Sequence, residues 1–505
     1  MARDGRTARH SIALTAMVGT LVATTAAPAL STDRDEGGQG REAKNIILLI
    51  GDGMGQTHVD AARQRYYGAA GRLNMERLPE VGAVKTSAVE EGSSKPELVT
   101  DSASSATAWS SGVKTYNNAL GKDSFGTVVP TIMEQAKRAG LRTGNVSTAE
   151  ITDATPAGMV SHVSARACQG PDFTVLACVR PSGQGADDVV IAEQIARNNV
   201  ADVLLGGGLS RFEPDDQVIM ERNGYEVLGS FGNPALATQT ATTQQLPTRT
   251  DLAAVSGSDR KVIGLFNRGN LTVERAKELA PASKQAQEPS LVEMTSKAIE
   301  LLATGSGRKN GFFLQVEGAL IDKRSHANDA AQTLRETKEF DDAVARAVAF
   351  AAKDKNTLVI VTADHECAGF NIVGKGSFTN AEAAAPPTNV DSGNTANNST
   401  PSRISGNVKD PGRSTGPVNG SGAANTKNFA PATFRTPDDE ASVTDGSPEA
   451  SLWLSYLSGN HTGADVPIYA TGPGAQGFDG TIDNTDIYRL MRGALKAVGP
   501  APDRR

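Results

Sequence analysis

The sequence predicts a doubly wound α/β fold, a three-layer sandwich in which helices cover both faces of a large, mostly parallel central sheet. Short apolar runs of strand length are followed by Gly-rich turns and then by longer segments with helical periodicity, an alternation that is typical of α/β proteins. The apolar runs are continuous, as expected for strands that are buried on both faces. They are NIILLI (45–50), ADVLL (201–205), FFLQV (312–316) and TLVIV (357–361).

A long amphipathic helix is predicted between the last two of these strands. Its apolar side chains recur at helical spacing, which places them on one face that would pack on the sheet. They are Leu334, Phe340, Val344, Val348 and Ala351.

The composition is that of a globular protein with an acidic surface. The chain has 505 residues, of which 38% are hydrophobic and 21% are charged, so it can bury a substantial core. Its formal net charge of −7 offers no basic surface for nucleic acid or anionic lipid. We therefore expect neither a nucleic-acid-binding module nor a membrane partner.

Residues 1–29 have the pattern of a secretory signal peptide. Arg3, Arg6 and Arg9 precede a weakly apolar run that ends in the small-residue pattern APA at 27–29. The alternative is a membrane anchor, for which the run is short, Thr-rich and interrupted by proline. We expect cleavage after this pattern, which would give a secreted protein, extracellular or periplasmic, with no membrane span.

The rest of the chain reads as one α/β domain with a long interruption. From about residue 376 to residue 450 it is rich in Ser, Thr, Asn, Gly, Pro and Ala, with almost no large apolar side chains, which predicts a mobile, low-complexity insertion. The predicted segments are a linker at 30–43, the first part of the domain at 44–375, the insertion at 376–450, the second part at 451–499 and a tail at 500–505.

The chain contains 3 cysteines. Because export implies an oxidising compartment, Cys168 and Cys178 are predicted to form a disulfide, which would stabilise the fold by about 2–3 kcal/mol. The alternative is two unpaired thiols in a surface loop. Cys367 is left over, and it directly follows the sequence ADHE, where a thiol or the neighbouring carboxylate of Glu366 could alter the affinity of a metal site.

Acidic side chains follow three of the predicted strands. Asp52 comes after the first, Glu317 and Asp322 after the third, and Asp364 after the fourth. In an open α/β sheet the crevice beyond the carboxyl ends of the strands is the ligand site. Carboxylates crowded there would repel and raise each other's pKa unless cations neutralised them. We therefore expect bound metal ions to neutralise these carboxylates. The alternative is a set of buried ion pairs without metal.

Histidines accompany these carboxylates. Asp322 and His326 are four residues apart, so they share one face of a helical turn, and His365 stands at the bend where the fourth strand ends. His461 could return to the same crevice after the insertion. Mixed carboxylate and imidazole donors suit zinc in sites that keep positions open for chemistry.

Several motifs, in order along the chain, resemble those of the bacterial-type alkaline phosphatases, from about residue 44 to the C-terminal end. They are IGDGMG, TDSASSATAWSSGVKTYNNALG, TDATPA followed by HVSAR, QVEGALIDKRSH, VTADHE and HTGADVP. The resemblance implies an alkaline-phosphatase-like fold and catalytic domain. Many members of that family are dimers, so a homodimer is one expected assembly, although no motif in this sequence specifies it.

The resemblance makes Ser102 the nucleophile and predicts a helix from Ser102 to near Gly112, with its N-terminus aimed at phosphate. The small residues Ala103, Ser104 and Ala106 would then leave room for metals and substrate. The alternative is a Ser-rich helix cap without chemistry.

The resemblance also implies two Zn²⁺ ions and one Mg²⁺ ion. The first zinc would be held by Asp322, His326 and His461. The second would be held by Asp52, Asp364 and His365 and would coordinate Ser102. The magnesium would be held by Asp52, Thr155 and Glu317, with Asp153 holding its waters.

Two basic residues complete the implied site. Arg166 would grip two phosphate oxygens with its planar fork, and Lys323 would reach phosphate through a water. An ordinary surface Arg and Lys are the alternatives.

The sequence therefore predicts a secreted, metal-dependent phosphomonoesterase that acts on small phosphate monoesters through a phosphoserine intermediate. Broad specificity is expected because every identified contact falls on the phosphoryl group. The alternatives are a phosphatase dedicated to one metabolite, such as a phosphorylated antibiotic precursor, a phosphodiesterase on the same scaffold, and a non-catalytic exported protein that binds phosphate or metal.

Overall fold

The computed structural model describes residues 42–170, 189–232, 243–376, 432–457 and 459–495. Its strands are β1 Asn45–Gly51, β2 Glu80–Lys85, β3 Ala88–Val89, β4 Pro96–Glu97, β5 Arg142–Glu150, β6 Val203–Gly207, β7 Tyr225–Leu228, β8 Lys261–Leu265, β9 Phe312–Gly318, β10 Thr357–Thr362, β11 Glu366–Cys367, β12 Asn371–Val373, β13 Ala432–Phe434, β14 Leu452–Ser455, β15 His461–Thr462, β16 Val466–Thr471 and β17 Gly480–Asp483.

The helices of the described residues lie between and around these strands. They are α1 Gln56–Tyr67, α2 Ser102–Ser111, α3 Ile132–Arg138, α4 Ala154–Ala157, α5 Ile191–Asn198, α6 Pro214–Arg222, α7 Arg249–Ala254, α8 Glu274–Leu279, α9 Leu291–Leu302, α10 Gly305–Asn310, α11 Leu320–His326, α12 Ala330–Asp354 and α13 Asn484–Ala494. Short 3-10 helices span Met75–Arg77, Leu209–Arg211, Gln285–Gln287 and Ala475–Phe478.

A 10-stranded sheet forms the centre of the fold, in the order β17-β2-β16-β10-β1-β9-β5-β6-β8-β7. The strands from β10 to β7 run parallel, whereas β16 is antiparallel to both of its neighbours. The predicted strands correspond to β1, β6, β9 and β10, and each is buried along its whole length. The predicted α/β class and mostly parallel sheet are confirmed.

Helices cover both faces of this sheet. One face of the sheet is marked by Leu314 of β9 and by Leu302 of α9. A Cβ added to Gly144, which pairs with Leu314 from the neighbouring strand β5, would contact both leucine side chains. The next side chain, Gln315, points to the opposite face, where it accepts a hydrogen bond from Trp109 of α2 at 3.2 Å. The α9 and α12 helices therefore form one outer layer, and α2, α3 and α4 form the other.

The predicted amphipathic helix is α12, which packs on β1, β9, β10 and α9. Its buried face includes Glu336, whose Oε1 accepts the backbone N–H of Glu274 at 2.7 Å. Burial, with the nearby Glu274 carboxylate, raises the pKa of Glu336 from the ordinary 4.5 to about 8.

Glu336 should make the folded protein less stable in alkaline solution. Between its unfolded pKa of 4.5 and its folded pKa of about 8, the folded state binds the extra proton, so stability falls as the pH rises through this window. We expect Glu336→Gln to raise the free energy of unfolding at pH 9 by on the order of 1–3 kcal/mol and to change it little at pH 5. Urea unfolding at the two pH values measures this. Glu300→Gln, on an exposed side chain paired with Lys297, is the control and should show no such difference. An equal gain at both pH values would contradict the assignment.

The predicted domain boundaries differ from the structure at two places. Ala43, the last residue of the predicted linker, already belongs to the fold, because its N–H donates to the carbonyl of Ala494 at 2.8 Å. Residues 432–450, predicted as part of the insertion, contain β13, which pairs with β14 while β12 pairs with the other edge of β14. Phe434 of β13 is buried and packs this segment into the fold. The average composition of residues 376–450, which is poor in large apolar side chains, did not reveal this one.

Several predicted features lie outside the described residues. They are the signal peptide at 1–29, Cys178 of the predicted disulfide, most of the insertion and the tail at 500–505. No helix of the described residues has the length and apolar character needed to cross a membrane.

Candidate active site

The acidic residues meet at one edge of the central sheet. β1 lies between β9 and β10, and all three strands are parallel, so their carboxyl ends share that edge. Asp52 directly follows β1, Glu317 lies near the end of β9, and Asp364 comes two residues after β10. The crevice predicted from the sequence therefore exists in the fold.

One group of potential metal ligands consists of Asp52, Asp364 and His365, whose ligand atoms lie within 4.8 Å of one another. The Nε2 atom of His365 is 3.0 Å from Asp364 Oδ2 and 3.6 Å from Asp52 Oδ1. The backbone N–H of Gly53 donates to Asp364 Oδ1 at 2.9 Å, which turns the other carboxylate oxygen toward the group.

A second group is centred on Asp322, His326 and His461. His326 Nε2 lies 3.2 Å from Asp322 Oδ2, and His461 Nε2 lies 3.4 Å from Asp322 Oδ1. The Nδ1 atoms face backbone carbonyls, of Gly459 for His326 and of Thr100 for His461. Because a carbonyl can only accept, each Nδ1 carries the proton and each Nε2 presents a lone pair to the group.

The two groups are adjacent and their donor atoms suit a cation. The rings of His365 and His461 stack with centroids 3.4 Å apart. Within the described part of the chain, Asp52 Oδ1, Asp322 Oδ1 and Asp364 Oδ2 are buried and accept no hydrogen bond. Such oxygens are costly to bury unless a charge compensates them. The donor set therefore fits divalent metal ions.

The protonation of the site depends on the same crowding. Burial raises the pKa of Asp52 well above its ordinary value, and the carboxylates of Asp322 and Asp364 raise it further. Burial and His365 lower the pKa of His461 to about 4. His461 is therefore neutral at physiological pH, which is the form that binds metal.

A third set of donors contains only oxygens and lies beside Asp52. Glu317 is buried, accepts a hydrogen bond from Ser147, and has the Thr155 hydroxyl beside it. Burial raises the pKa of Glu317 to about 8. Carboxylate and hydroxyl oxygens of this kind could hold Mg²⁺.

Arg166 and Lys323 converge on one carboxylate. Arg166 donates to Asp153 Oδ1 at 2.8 Å, and Lys323 donates to Asp153 Oδ2 at 2.7 Å. Burial alone would raise the pKa of Asp153, but these two cations hold it below its ordinary value. Both side chains are thus fixed in the site, and neither is the exposed surface residue that was the alternative.

The helix predicted to begin at Ser102 is α2, which is confirmed from Ser102 to Ser111 and stops at Gly112 with a φ of 74°. Ser102 Oγ lies 3.2 Å from His365 Nε2, so the hydroxyl borders the metal-ligand groups. The hydroxyl of Ser105 donates to the carbonyl of Asp364 at 2.9 Å and ties α2 to the end of β10.

Two of the small residues of α2 contact neighbouring parts of the fold. A Cβ on Gly158 would lie 2.5 Å from the Cβ of Ala106, so Ala106 lets α2 pack closely against α4. The hydroxyl of Ser104 lies within hydrogen-bond distance of two acceptors, Asp101 Oδ1 at 3.0 Å and Asn117 Oδ1 at 2.9 Å. Ala106 and Ser104 thus contact neighbouring protein, and the room for metals and substrate stays a prediction.

Sequence reasoning missed the part played by Asp101. Its Oδ1 caps α2 by accepting the N–H of Ser104 at 2.9 Å, and its Oδ2 accepts from Arg166 at 3.3 Å. Asp101 therefore fixes α2 and Arg166 together. Its position directly before the helix predicted at Ser102 was the available signal, because Asp is a preferred N-cap residue.

The family model for alkaline phosphatase matches residues 43–497. The chain belongs to the alkaline phosphatase family. An alkaline phosphatase of Escherichia coli K12 is 38% identical, with 90% of this chain and 86% of that protein covered. A streptomycin-6-phosphate phosphatase of Streptomyces griseus is 40% identical, with 67% of this chain and 77% of that protein covered.

Solved structures agree with this family membership. The alkaline phosphatase of the Antarctic bacterium TAB5 is 27% identical and superimposes with a TM-score of 0.59, covering 91% of this chain and 99% of that one. A variant of the TAB5 enzyme is described with Mg bound in the M3 site. The present chain is a metal-dependent alkaline phosphatase that acts on phosphate monoesters, and its fold is that of the family.

Proposed function

We propose that this alkaline phosphatase hydrolyses a broad range of phosphate monoesters through transient phosphorylation of Ser102. The observation that carries this proposal is the position of Ser102 Oγ, 3.2 Å from His365 Nε2 at the start of α2 and next to both metal-ligand groups. This distance places the hydroxyl against a proposed ligand of the second zinc site.

The residues sort into three metal sites, for two Zn²⁺ and one Mg²⁺. The first zinc site is Asp322, His326 and His461, the second is Asp52, Asp364 and His365 with Ser102, and the magnesium site is Asp52, Thr155 and Glu317 with Asp153 behind it. When bound, these ions would neutralise the buried carboxylates, lower the pKa of the serine hydroxyl and of water, and polarise the phosphoryl oxygens.

The chain's own groups perform the displacement. Ser102 Oγ loses its proton to solvent and attacks phosphorus, and the bond from phosphorus to the ester oxygen breaks. The departing alkoxide takes a proton from solvent and becomes the alcohol. Water then attacks the phosphoserine, which releases inorganic phosphate and restores the hydroxyl. The start of α2 would face the phosphoryl group with the backbone N–H groups that Asp101 does not cap, and negative charge is favoured at such a helix N-terminus.

Arg166 should distinguish monoesters from diesters. Asp101 and Asp153 hold its guanidinium from two sides, so its fork is oriented before substrate arrives. A monoester offers two free oxygens to the fork, whereas the second ester bond of a diester removes one of the oxygens the fork would hold. Lys323, paired with Asp153, would act on the phosphate only through the shared carboxylate or a water.

We expect Arg166→Ala to lower kcat/KM for p-nitrophenyl phosphate by roughly 100-fold and to affect the bis-p-nitrophenyl diester much less, since two charge-assisted hydrogen bonds are lost only with the monoester. Steady-state kinetics on the two substrates measures this. Arg166→Lys is the matched variant, because it keeps the charge without the fork, and it should recover little. A wild-type preference for the diester would support a phosphodiesterase and contradict the proposal.

A second candidate is a phosphatase dedicated to one metabolite. It is favoured by the 40% identity to a protein named streptomycin-6-phosphate phosphatase. Rates on a panel of chemically unrelated monoesters decide between the two, since a dedicated enzyme should favour one substrate by several orders of magnitude. A protein that binds phosphate without turnover would fail on every member of the panel.

We also infer export of the protein, from the pattern of residues 1–29, and formation of the Cys168–Cys178 disulfide in the oxidising compartment. N-terminal sequencing of the mature protein tests the first inference. Assembly as a homodimer stays a prediction.

A further inference from the structure

Cys367 occupies a place in the site that the proposed mechanism does not use. It lies on β11, which pairs antiparallel with β15, and its direct partner in the ladder is His461. Residues directly opposite in such a pair have their Cβ atoms about 4.5–5.5 Å apart and their side chains on the same face. The register therefore brings the thiol beside a proposed metal ligand.

The sulfur belongs to the same cluster of donor atoms as the first metal group. One ligand atom from each of Asp322, His326, Cys367 and His461 lies within 4.8 Å of the others, and all four residues are buried. Asp322 Oδ1 accepts no hydrogen bond among the described residues, so an unsatisfied carboxylate oxygen faces the same cluster. The thiol itself is 3.8 Å from the backbone carbonyl of Asp322.

The surrounding backbone keeps the thiol in this position. The N–H of Cys367 donates to the carbonyl of Gly53 at 3.1 Å. Gly53 has a φ of 67°, and a Cβ at this residue would lie 2.8 Å from the Cβ of Cys367 and 2.7 Å from Asp322 Oδ1. The glycine therefore lets the loop after β1 pass against both side chains and hold them next to each other.

The chemistry of a four-donor set differs from that of a three-donor set. Three oxygen and nitrogen donors leave positions open on zinc, as catalysis requires, whereas four protein ligands close a tetrahedral site. A sulfur donor also shifts preference toward softer, thiophilic cations. The same cluster could therefore hold two kinds of ion in two different ways.

We propose that the first metal group is also a binding site for thiophilic divalent cations, with Cys367 Sγ as the fourth ligand and Cd²⁺ as the representative ion. This inference rests on the proposed function only in using the same three ligands, Asp322, His326 and His461. On binding, the thiol proton passes to solvent and the sulfur takes its place on the ion as a thiolate. The ion is then enclosed by protein and has no position left for phosphate.

The experiment uses the full-length protein, stripped of metal and titrated with Cd²⁺ alone. Wild type is expected to develop the ultraviolet charge-transfer absorption of a cadmium–thiolate bond, and Cys367→Ser is expected to lack it. The group of Asp52, Asp364 and His365 contains no sulfur, so cadmium bound there serves as an internal blank. Competition with a chelator should show Cd²⁺ affinity falling by roughly tenfold or more in the variant, since even outer partners of metal ligands are typically worth about 10- to 100-fold.

Cys367→Ala is the second variant, in case serine at this buried position disturbs folding, and thermal melting of both variants establishes that they fold. Wild type that binds Cd²⁺ stoichiometrically without the thiolate absorption would overturn the proposal, as would an absorption that persists in both variants. The proposed function is judged separately, by turnover of p-nitrophenyl phosphate with zinc and magnesium. Turnover without the thiolate signal rejects only the cadmium site, and the thiolate signal without turnover rejects only the proposed function.

Discussion

Replacing Ser102 with alanine is expected to lower kcat for p-nitrophenyl phosphate by roughly 10³-fold or more, because it removes the hydroxyl that the proposed mechanism phosphorylates. The hydroxyl lies 3.2 Å from His365 Nε2 at the first residue of α2. Removing one oxygen atom there should leave the helix intact, since its cap is the side chain of Asp101. Rapid quenching with a ³²P-labelled monoester should trap phosphoprotein with wild type and none with Ser102→Ala.

Ser110→Ala is the matched control for this experiment. Ser110 lies on the same helix and is buried, and its hydroxyl donates to the helix carbonyl of Thr107 at 3.4 Å rather than to a residue of the proposed metal sites. Its loss should leave the labelled intermediate and kcat within a few-fold of wild type. If Ser102→Ala retained normal turnover, a water molecule rather than the serine would be the attacking group and the proposed mechanism would be wrong.

Removal of metal ions with a strong chelator is expected to abolish turnover and to lower the thermal stability of the protein. Asp52, Asp322 and Asp364 bury carboxylate oxygens without hydrogen-bond partners among the described residues, so metal loss leaves their charges uncompensated. Metal analysis, activity and thermal melting should change together during chelation. Readdition of Zn²⁺ and Mg²⁺ should restore all three, and Ca²⁺ should not, because it prefers oxygen ligands.

The stability of the metal-free protein should also depend on pH. Glu317 has a folded pKa of about 8, above its ordinary 4.5, so the folded metal-free state binds an extra proton between these values. Stability is then greatest below pH 4.5 for this group and is lost as the pH rises through 8. We expect chelation to lower the melting temperature more at pH 9 than at pH 6. Full activity after prolonged chelation, with no bound metal, would contradict a metal-dependent mechanism.

The strands that the sequence predicted are those whose side chains are apolar on both faces. β5 was missed because its sequence, RTGNVSTAE, is polar, yet every one of its residues is buried. Its polar groups have specific partners: Asn145 donates to the carbonyl of Pro156, and Ser147 donates to Glu317. Such a strand is recognisable only when its neighbours are known, since periodicity reports hydrophobic burial and not satisfied hydrogen bonds.

That several of the proposed site residues lie together could be predicted from the sequence, for a physical reason. A carboxylate directly after an apolar strand, as at Asp52 and Asp364, has few explanations besides a ligand site, and the spacing of Asp322 and His326 requires one helical turn. The proximity of His461 could not be derived locally, because it depends on the pairing of β15 with β11. The same pairing places Cys367 opposite His461, and the sequence alone offered no explanation for this cysteine.

The small sheet of β12, β14 and β13 fixes the two ends of the stretch between Gly376 and Ala432, because β12 precedes it and β13 follows it. Both outer strands pair with β14, and Val373 and Thr433 stand opposite the same residue, Trp453, so the two crossing points are roughly 10 Å apart, about two strand spacings. His365 precedes β12 and His461 follows β14, so the pairing of these strands fixes the chain next to both histidines independently of the stretch between Gly376 and Ala432. Insertions, deletions or a grafted guest domain between residues 377 and 431 should therefore leave the spacing of His365 and His461 unchanged.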